Sequence, residues 1–146
     1  RFLHFADPAD EGLLAPLRDA DLVLVDAPCS GSGTWRRHPE EAHRLTEDEV
    51  RRLHVLQVQI LNRAATCVKP GGRLVYVTCS VLDDENAESA DAFAAGRPEF
   101  APLDVAALTD ARYFDSTNLN PVGHRLSLSP HKTRTDGFFL SAWQRK

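Results

Sequence analysis

Two of the three cysteines stand where a thiol could meet a substrate. Cys29 lies in the segment Asp-Ala-Pro-Cys-Ser-Gly-Ser-Gly (residues 26–33), and Cys79 lies in Thr-Cys-Ser (residues 78–80). A cysteine thiolate is a nucleophile that can form a covalent intermediate with a bound substrate. The two segments therefore indicate covalent thiol chemistry.

Two short buried strands must position these thiols. Residues 22–25 and 74–77 are four-residue apolar runs, each just upstream of a cysteine segment, and they are typical of parallel strands covered on both faces. In open α/β sheets the carboxyl ends of neighbouring strands form the crevice in which ligands bind. We therefore expect Cys29 and Cys79 to face one substrate.

Simpler interpretations of the cysteines stay open. A free cysteine often packs as a small buried hydrophobe, which accounts for Cys67 near the end of a predicted helix and is an alternative for Cys29 or Cys79 taken alone. Cys29, however, follows a proline and precedes Ser-Gly-Ser-Gly, a backbone able to approach a ligand closely. A disulfide between Cys29 and Cys79 is disfavoured, because nothing indicates secretion and cytosolic thiols are normally reduced.

Several segments spread over most of the chain carry a family resemblance. They are residues 26–33, Trp-Arg-Arg-His-Pro-Glu (35–40), Lys-Pro-Gly-Gly (69–72), Tyr-Val-Thr-Cys-Ser-Val-Leu (76–82), Glu-Asn (85–86) and Asp-Gly-Phe-Phe (136–139). With them the chain resembles the carboxyl-terminal part of the S-adenosylmethionine-dependent RNA cytosine-5 methyltransferases of the Sun-like family, which includes the bacterial 16S rRNA methyltransferase B group. Both cysteine motifs in this order make the resemblance specific.

The resemblance implies a role for each thiol. Carbon 5 of cytosine is too weak a nucleophile to take a methyl group unaided, and attack of a thiolate on carbon 6 activates it. A base must then remove the carbon 5 proton so that the thiolate can leave. The resemblance assigns the attack to Cys79, the release to Cys29, and a contact with ring nitrogen 3 to Asp26. A strand-end carboxylate satisfied by nearby backbone is the alternative for Asp26.

S-adenosylmethionine is the cofactor that the resemblance implies. It assigns Asp7, Asp26 and Pro28 to cofactor binding, although Asp7 could equally cap a turn with Pro8. No glycine-rich loop after a first strand precedes Asp7, and such a unit normally supplies most cofactor contacts. We therefore expect residues 1–146 to be the carboxyl-terminal portion of a methyltransferase catalytic domain that binds the cofactor poorly by itself.

The expected fold is α/β, a partial Rossmann-like class I methyltransferase fold whose first strand-loop-helix units are missing. The resemblance implies a mostly parallel sheet with an antiparallel edge hairpin formed by residues 125–128 and 138–143. A helix over about residues 46–68 begins at a capping box of Thr46 and Glu49 and stops at Pro-Gly-Gly. Further expectations are a strand ending near residue 6, a helix over 83–95, a strand over 100–103 and a loop over 115–121.

RNA, ribosomal by the resemblance, is the expected partner. The formal net charge of -4 is unlike that of a free-standing nucleic-acid binder, so local clusters must make the contacts. The expected substrate-binding residues are Ser30, Gly31, Arg36, Arg37 and His38. Solvated surface is the alternative for any single arginine. Trp35 either stacks on an unpaired base or fills a core or hinge position.

Other patterns limit the location and assembly of the protein. The six histidines are scattered and no cysteine pair has zinc-site spacing, so we expect no metal site. No apolar run is long enough to cross a membrane and no signal peptide begins the sequence, which predicts a cytoplasmic protein without membrane contact. If the strand at 22–25 lacks an upstream neighbour, its apolar edge should make the isolated chain self-associate.

Methyl transfer from S-adenosylmethionine to carbon 5 of a cytosine in RNA is thus the predicted function. One alternative is a non-catalytic RNA-binding relic, against which the presence of both Cys29 and Cys79 argues. Another is an amino-group methyltransferase. Such enzymes carry Asp or Asn followed by Pro-Pro and an aromatic residue where this chain has Asp-Ala-Pro-Cys, and their substrate amine needs no covalent thiol.

Overall fold

A computed structural model describes residues 18–105 and 122–146. Within them, five strands form one sheet: β1 (Ala20–Asp26), β2 (Val68–Thr78), β3 (Phe100–Pro102), β4 (Arg125–Leu128) and β5 (Phe138–Arg145). The α-helices are α1 (Glu47–Ala65), α2 (Ser89–Gly96) and the short α3 (Pro130–Thr133). Two 3-10 turns (Ser32–Thr34 and Pro39–His43) and one π-helical turn (Asp84–Glu88) complete the description. Asp7 and the predictions for residues 2–6 and 115–121 lie outside these ranges.

The sheet is mixed, and its order explains why two cysteine segments meet. β1 and β2 are parallel neighbours, with Val25 opposite Tyr76 and Asp26 opposite Val77. β5 runs antiparallel to β2 on one side and to β3 and β4 on the other. The α/β class and the antiparallel pairing of residues 125–128 with the last strand are therefore confirmed.

Helix α1 starts as the sequence predicts but ends earlier. The Thr46 hydroxyl accepts the Glu49 N–H at 3.2 Å, which caps the helix. The helix stops at Ala65 because the next two residues turn, and Val68 already pairs with β1. The predicted end at residue 68 was wrong, since the Pro-Gly-Gly segment (70–72) lies inside β2 instead of closing the helix.

The main hydrophobic core lies between the sheet and the helices α1 and α2. Leu61, Leu74, Tyr76, Phe93 and Trp143 are all completely buried there. The rings of Phe93 and Trp143 meet edge to face, with centroids 4.8 Å apart. Burial of each such side chain contributes about 1.5–3 kcal/mol. Cys67 is also buried, two residues beyond the end of α1, which confirms its predicted core role.

The predicted helix over residues 83–95 is two different elements. It opens as a π-helical turn, in which the Glu88 N–H bonds to the Asp83 carbonyl at 3.0 Å, and continues as α2. Such wide turns are frequent at functional sites. Here the turn buries the side chains of Glu85 and Asn86 against the ends of the strands, where the Thr78 hydroxyl donates to Asn86 Oδ1 at 2.6 Å.

The opposite face of the sheet is unevenly covered. Leu126 and Ala142 are buried there in a second cluster with Val105. At β1, however, Leu22 and Leu24 are 59% and 62% exposed. The expectation that both faces of β1 are covered was therefore wrong, because only the face that packs on α1 is buried. In the described part of the chain no helix has the length and apolar character that a membrane crossing requires.

Candidate active site

Cys29 and Cys79 meet at the carboxyl ends of β1 and β2. Their sulfur atoms lie 3.3 Å apart, and both thiols are free and partly exposed. The two strands end side by side, so each following segment turns over the same edge of the sheet. The structure thus brings together the two residues that the sequence singled out.

The hydrogen bond between the two sulfur atoms makes the two thiols unequal. A hydrogen bond from Cys29 lowers the pKa of Cys79 from about 9.0 to about 7. The same hydrogen bond, together with burial, raises the pKa of Cys29. These shifts favour ionisation of Cys79 over ionisation of Cys29, and the thiolate is the nucleophilic form of a cysteine.

A buried carboxylate links the two cysteine segments. Glu85 is completely buried, and its Oε1 accepts the Ser30 N–H at 2.8 Å and the Gln57 side-chain amide at 3.1 Å. Its Oε2 accepts the hydroxyls of Ser30 and Ser80, each at 2.5 Å. The Gln57 amide also donates to the Pro28 carbonyl at 3.0 Å. Glu85 thereby forms hydrogen bonds with three parts of the chain, which are the segment after β1, the segment after β2 and helix α1.

Backbone contacts join the same two segments to the start of β5. The Gly33 N–H donates to the Cys79 carbonyl at 2.9 Å, and the Gly137 N–H donates to the Gly33 carbonyl at 2.8 Å. A Cβ added to Gly33 would lie 2.7 Å from the Gly137 carbonyl carbon, and one added to Gly137 would lie 2.7 Å from the Gly33 Cα. Only glycine fits this approach of two backbones.

Asp26, the last residue of β1, is a solvent-facing carboxylate beside the thiols. Its side chain makes no hydrogen bond with any residue in the described ranges, so the alternative of a carboxylate satisfied by backbone is not observed. Its charge acts to raise the pKa of Cys79, which means that it lies within electrostatic reach of that sulfur. A carboxylate in this setting is available to a ligand.

The basic residues predicted to contact RNA follow the Cys29 segment. The Arg37 guanidinium pairs with Asp136 at 2.7 Å, whereas Arg36 reaches the same carboxylate only at 4.0 Å and is 63% exposed. His38 lies 3.8 Å from Glu40. The basic side chains are thus held unequally: Arg37 is paired closely with Asp136, whereas Arg36 lies mostly in solvent.

The other predicted contacts have roles within the protein. The Ser30 hydroxyl donates a hydrogen bond to Glu85. Gly31 takes a left-handed conformation, with φ +68°, immediately before a 3-10 turn. Trp35 is partly buried, and its indole N–H has no hydrogen-bond partner among the residues described.

Gln57 and Glu85 are the site residues whose role the sequence did not reveal. Gln57 was one polar residue in a predicted helix, and Glu85 lay at the start of the helix predicted over residues 83–95. A signal exists for Gln57, because it lies one helical turn from both Leu53 and Leu61 and thus on the buried stripe of α1. Glu85 lies in the Glu-Asn segment that contributes to the resemblance, but no spacing pattern predicts its burial, which depends on the π-helical turn.

Metal ligands are not assembled in this region. Within residues 18–105 and 122–146 there is no group of three or more His, Cys, Asp or Glu side chains that could hold an ion. Of the three residues predicted to bind the cofactor, Asp7 lies outside the described residues. The other two, Asp26 and Pro28, are exposed at the carboxyl end of β1.

Comparison with known protein structures agrees with the fold. Two solved structures are similar: PH0851, with a TM-score of 0.75 and 36% identity over 86% of this chain and 27% of that one, and a methyltransferase homologue from Pyrococcus horikoshii, with a TM-score of 0.65 and 25% identity over 88% and 40%. The fold is therefore that of a Rossmann-like methyltransferase.

The family is shown by the sequence match itself. The model of the 16S rRNA methyltransferase RsmB/F family matches residues 9–144, and the chain belongs to this family. It is 39% identical over 126 residues to the probable ribosomal RNA small subunit methyltransferase B of Bacillus subtilis, and 45% identical over 86 residues to the corresponding protein of Thermus thermophilus. These matches cover 86% and 59% of this chain but only 28% and 22% of the two relatives. The chain thus spans about a quarter of the length of these relatives.

Proposed function

We propose that the protein carrying this chain transfers a methyl group from S-adenosylmethionine to carbon 5 of a cytosine in RNA through a covalent adduct with Cys79. The observation that carries the proposal is the thiol pair, 3.3 Å apart, in which Cys79 has a pKa of about 7. The names of the relatives, ribosomal RNA small subunit methyltransferase B, support ribosomal RNA as the substrate.

Cys79 performs the first step. Its thiolate attacks carbon 6 of the cytosine, a sulfur–carbon bond forms, and the ring electrons move toward nitrogen 3 and carbon 5. Asp26, which we assign to nitrogen 3 by resemblance, donates a hydrogen bond there in its protonated form and so favours this shift of electrons. S-adenosylmethionine, when bound, supplies the electrophilic methyl group that carbon 5 accepts.

Cys29 performs the release. In the free protein its pKa is raised above all by the bond to Cys79. Once Cys79 is bonded to carbon 6 it carries no negative charge, so that cause disappears and Cys29 can lose its proton to solvent. The Cys29 thiolate then removes the carbon 5 proton, the sulfur–carbon bond breaks, and Cys79 leaves as a thiolate.

The remaining expected residues belong to binding. The carboxylate form of Asp26, which is exposed and has no hydrogen-bond partner among the described residues, suits the ammonium or hydroxyl groups of S-adenosylmethionine, and we assign Pro28 and Asp7 to the same ligand by resemblance. We assign Arg36, Arg37 and His38 to RNA, with Ser30 and Gly31 shaping the loop next to the target base. The base must be unstacked for a thiol to reach carbon 6.

The test is product analysis. The protein with its native flanking sequence, incubated with ribosomal RNA and S-adenosylmethionine, should yield 5-methylcytidine on mass spectrometry of the digested RNA. Cys79→Ala should yield none, while Cys67→Ala, which removes a buried thiol outside the site, should retain activity. Equal product from Cys79→Ala would contradict the mechanism, and no product from a folded unaltered protein would favour the RNA-binding relic.

Three further predictions concern the affinity for the cofactor, the assembly and the location of residues 1–146. We expect weak cofactor binding, which calorimetry can measure, and micromolar affinity would contradict it. We expect self-association through β1, and a cytoplasmic location in the cell.

A further inference from the structure

We propose that Glu85 is a positioning residue for both catalytic thiols, which it holds within reach of one another by binding the residues next to each. This inference rests on the proposed function, because it concerns the same pair of cysteines. Within residues 18–105 and 122–146, Glu85 is the only charged residue that is buried, and its hydrogen bonds go to neighbours of the cysteines and not to either sulfur.

The placement of its partners supports this role. Ser30 follows Cys29 directly, and Ser80 follows Cys79 directly. Both serine hydroxyls donate to the same oxygen, Oε2, at 2.5 Å. A single oxygen atom is therefore hydrogen-bonded to the residue that follows each cysteine. It thereby fixes the distance between the two cysteine segments. Hydrogen bonds to a charged acceptor are shorter and stronger than neutral ones.

The directions of the hydrogen bonds require a carboxylate. The Ser30 N–H and the Gln57 amide are obligate donors to Oε1, and the Gln57 carbonyl end is occupied by the Ser89 hydroxyl, which donates to it at 3.1 Å. The Ser80 hydroxyl accepts the Leu82 N–H at 3.1 Å, so its proton is left for Glu85. A carboxylate accepts at all four positions, whereas an amide of the same shape would bring two donors into the network.

Two properties distinguish positioning from general stability. Loss of the carboxylate should change how the folded protein presents its thiols as a pair, and it should reduce turnover more than RNA binding. Phenylarsine oxide reports the first property without any methyl transfer. Its arsenic forms one bond to each sulfur, and the two thiol protons leave with its oxygen as water.

The experiment compares Glu85→Gln with Glu88→Gln, a control on the exposed side of the same π-helical turn. Folding of each variant is checked by circular dichroism. We expect Glu85→Gln to bind phenylarsine oxide about tenfold more weakly than the unaltered chain, the equivalent of about 1.4 kcal/mol, and Glu88→Gln to bind it equally well. In the protein with native flanking sequence, kcat should fall by a similar factor at unchanged KM for RNA.

Unchanged arsenical affinity in folded Glu85→Gln would overturn the inference. If that variant does not fold, Ser30→Ala replaces it, since this change keeps the carboxylate and removes one of its contacts next to Cys29; equal affinity there would overturn the inference as well. Because the arsenical requires only the two thiols, its result stands even if the protein proves to methylate a different substrate.

Discussion

The carboxyl end and the outer face of strand β1 differ sharply in the number of contacts that they make. Beyond Asp26 the chain enters a dense set of contacts in which Ser30, Glu85 and Gly33 tie three segments together. On the outer face, Leu22 and Leu24 are more than half exposed. The hydrogen bonds that hold the cysteine segments together therefore lie within the described residues, whereas the outer face of β1 is left largely uncovered.

This difference shows that site geometry and sheet stability have separate origins in this chain. The thiols are positioned by hydrogen bonds between segments that follow β1 and β2, and those bonds do not involve the exposed leucines. Changes at the carboxyl end of β1 should thus alter chemistry and stability, while changes on its outer face should alter association.

The largest effect is expected from removing the hydrogen bond between the thiols. Since the pKa of Cys79 is lowered to about 7 chiefly by Cys29, Cys29→Ala should raise it toward about 9.0. The thiolate is present only above its pKa, so alkylation of Cys79 by iodoacetamide should be half-maximal near pH 7 in the unaltered chain and up to about two pH units higher in the variant. Peptide mapping identifies the modified residue.

Cys29→Ser is the matched control for that measurement. Its hydroxyl still donates a hydrogen bond, so the pH profile of Cys79 should stay closer to that of the unaltered chain. Identical profiles for all three proteins would mean that the environment of β2 alone, and not the thiol pair, sets the reactivity of Cys79.

A second prediction concerns the glycine contact that joins the Cys29 segment to β5. Gly33→Ala should destabilise the fold by about 1–3 kcal/mol, because the new methyl group meets the backbone of Gly137. Gly96→Ala, at the end of α2 where a Cβ meets nothing within 4 Å, should leave stability unchanged or slightly higher. Urea unfolding of both variants decides the matter, and equal midpoints would show that the approach of the two backbones is easily relieved.

The smallest effect on stability is expected on the outer face of β1. Replacing Leu22 and Leu24 with lysine should change the free energy of unfolding by no more than about 0.5 kcal/mol, because these side chains are exposed. It should nevertheless reduce self-association of residues 1–146 in sedimentation equilibrium, since charged side chains discourage pairing at an apolar edge. Val55→Lys, at another apolar position that is more than half exposed but lies on α1, should leave self-association unchanged. A monomeric unaltered chain would contradict the prediction.

The sequence predicted those parts of the fold that depend on local patterns. The apolar runs of β1 and β2 and the capping Thr46 are all seen. The pairing of β4 with β5, which the resemblance and not a local pattern implied, is seen as well. The end of α1 was misplaced because Pro-Gly-Gly, a common helix stop, serves here as an irregular part of β2, where Gly71 has φ +78°. The segment becomes part of β2 because β2 pairs with β1. A pairing between two distant segments cannot be recognised from a local sequence pattern.

The candidate site was predictable in its reactive groups and not in its support. Cys29, Cys79 and Asp26 follow strand-like runs, and strand ends are where ligands bind in such sheets. Glu85 and Gln57 act through burial, which arises when a π-helical turn packs against α1 and the strand ends. Such support depends on contacts between residues 28 positions apart, beyond the reach of spacing rules.

The measurement that tests the central claim most directly is a search for the covalent adduct. The protein with native flanking sequence and Cys29→Ala is incubated with ribosomal RNA and S-adenosylmethionine at alkaline pH, where Cys79 is ionised even without its partner, and then denatured. We predict a protein–RNA adduct that survives denaturation and disappears when Cys79 is also replaced. An adduct that persists in the double variant, or methylation that continues in Cys29→Ala with no adduct, would contradict the account.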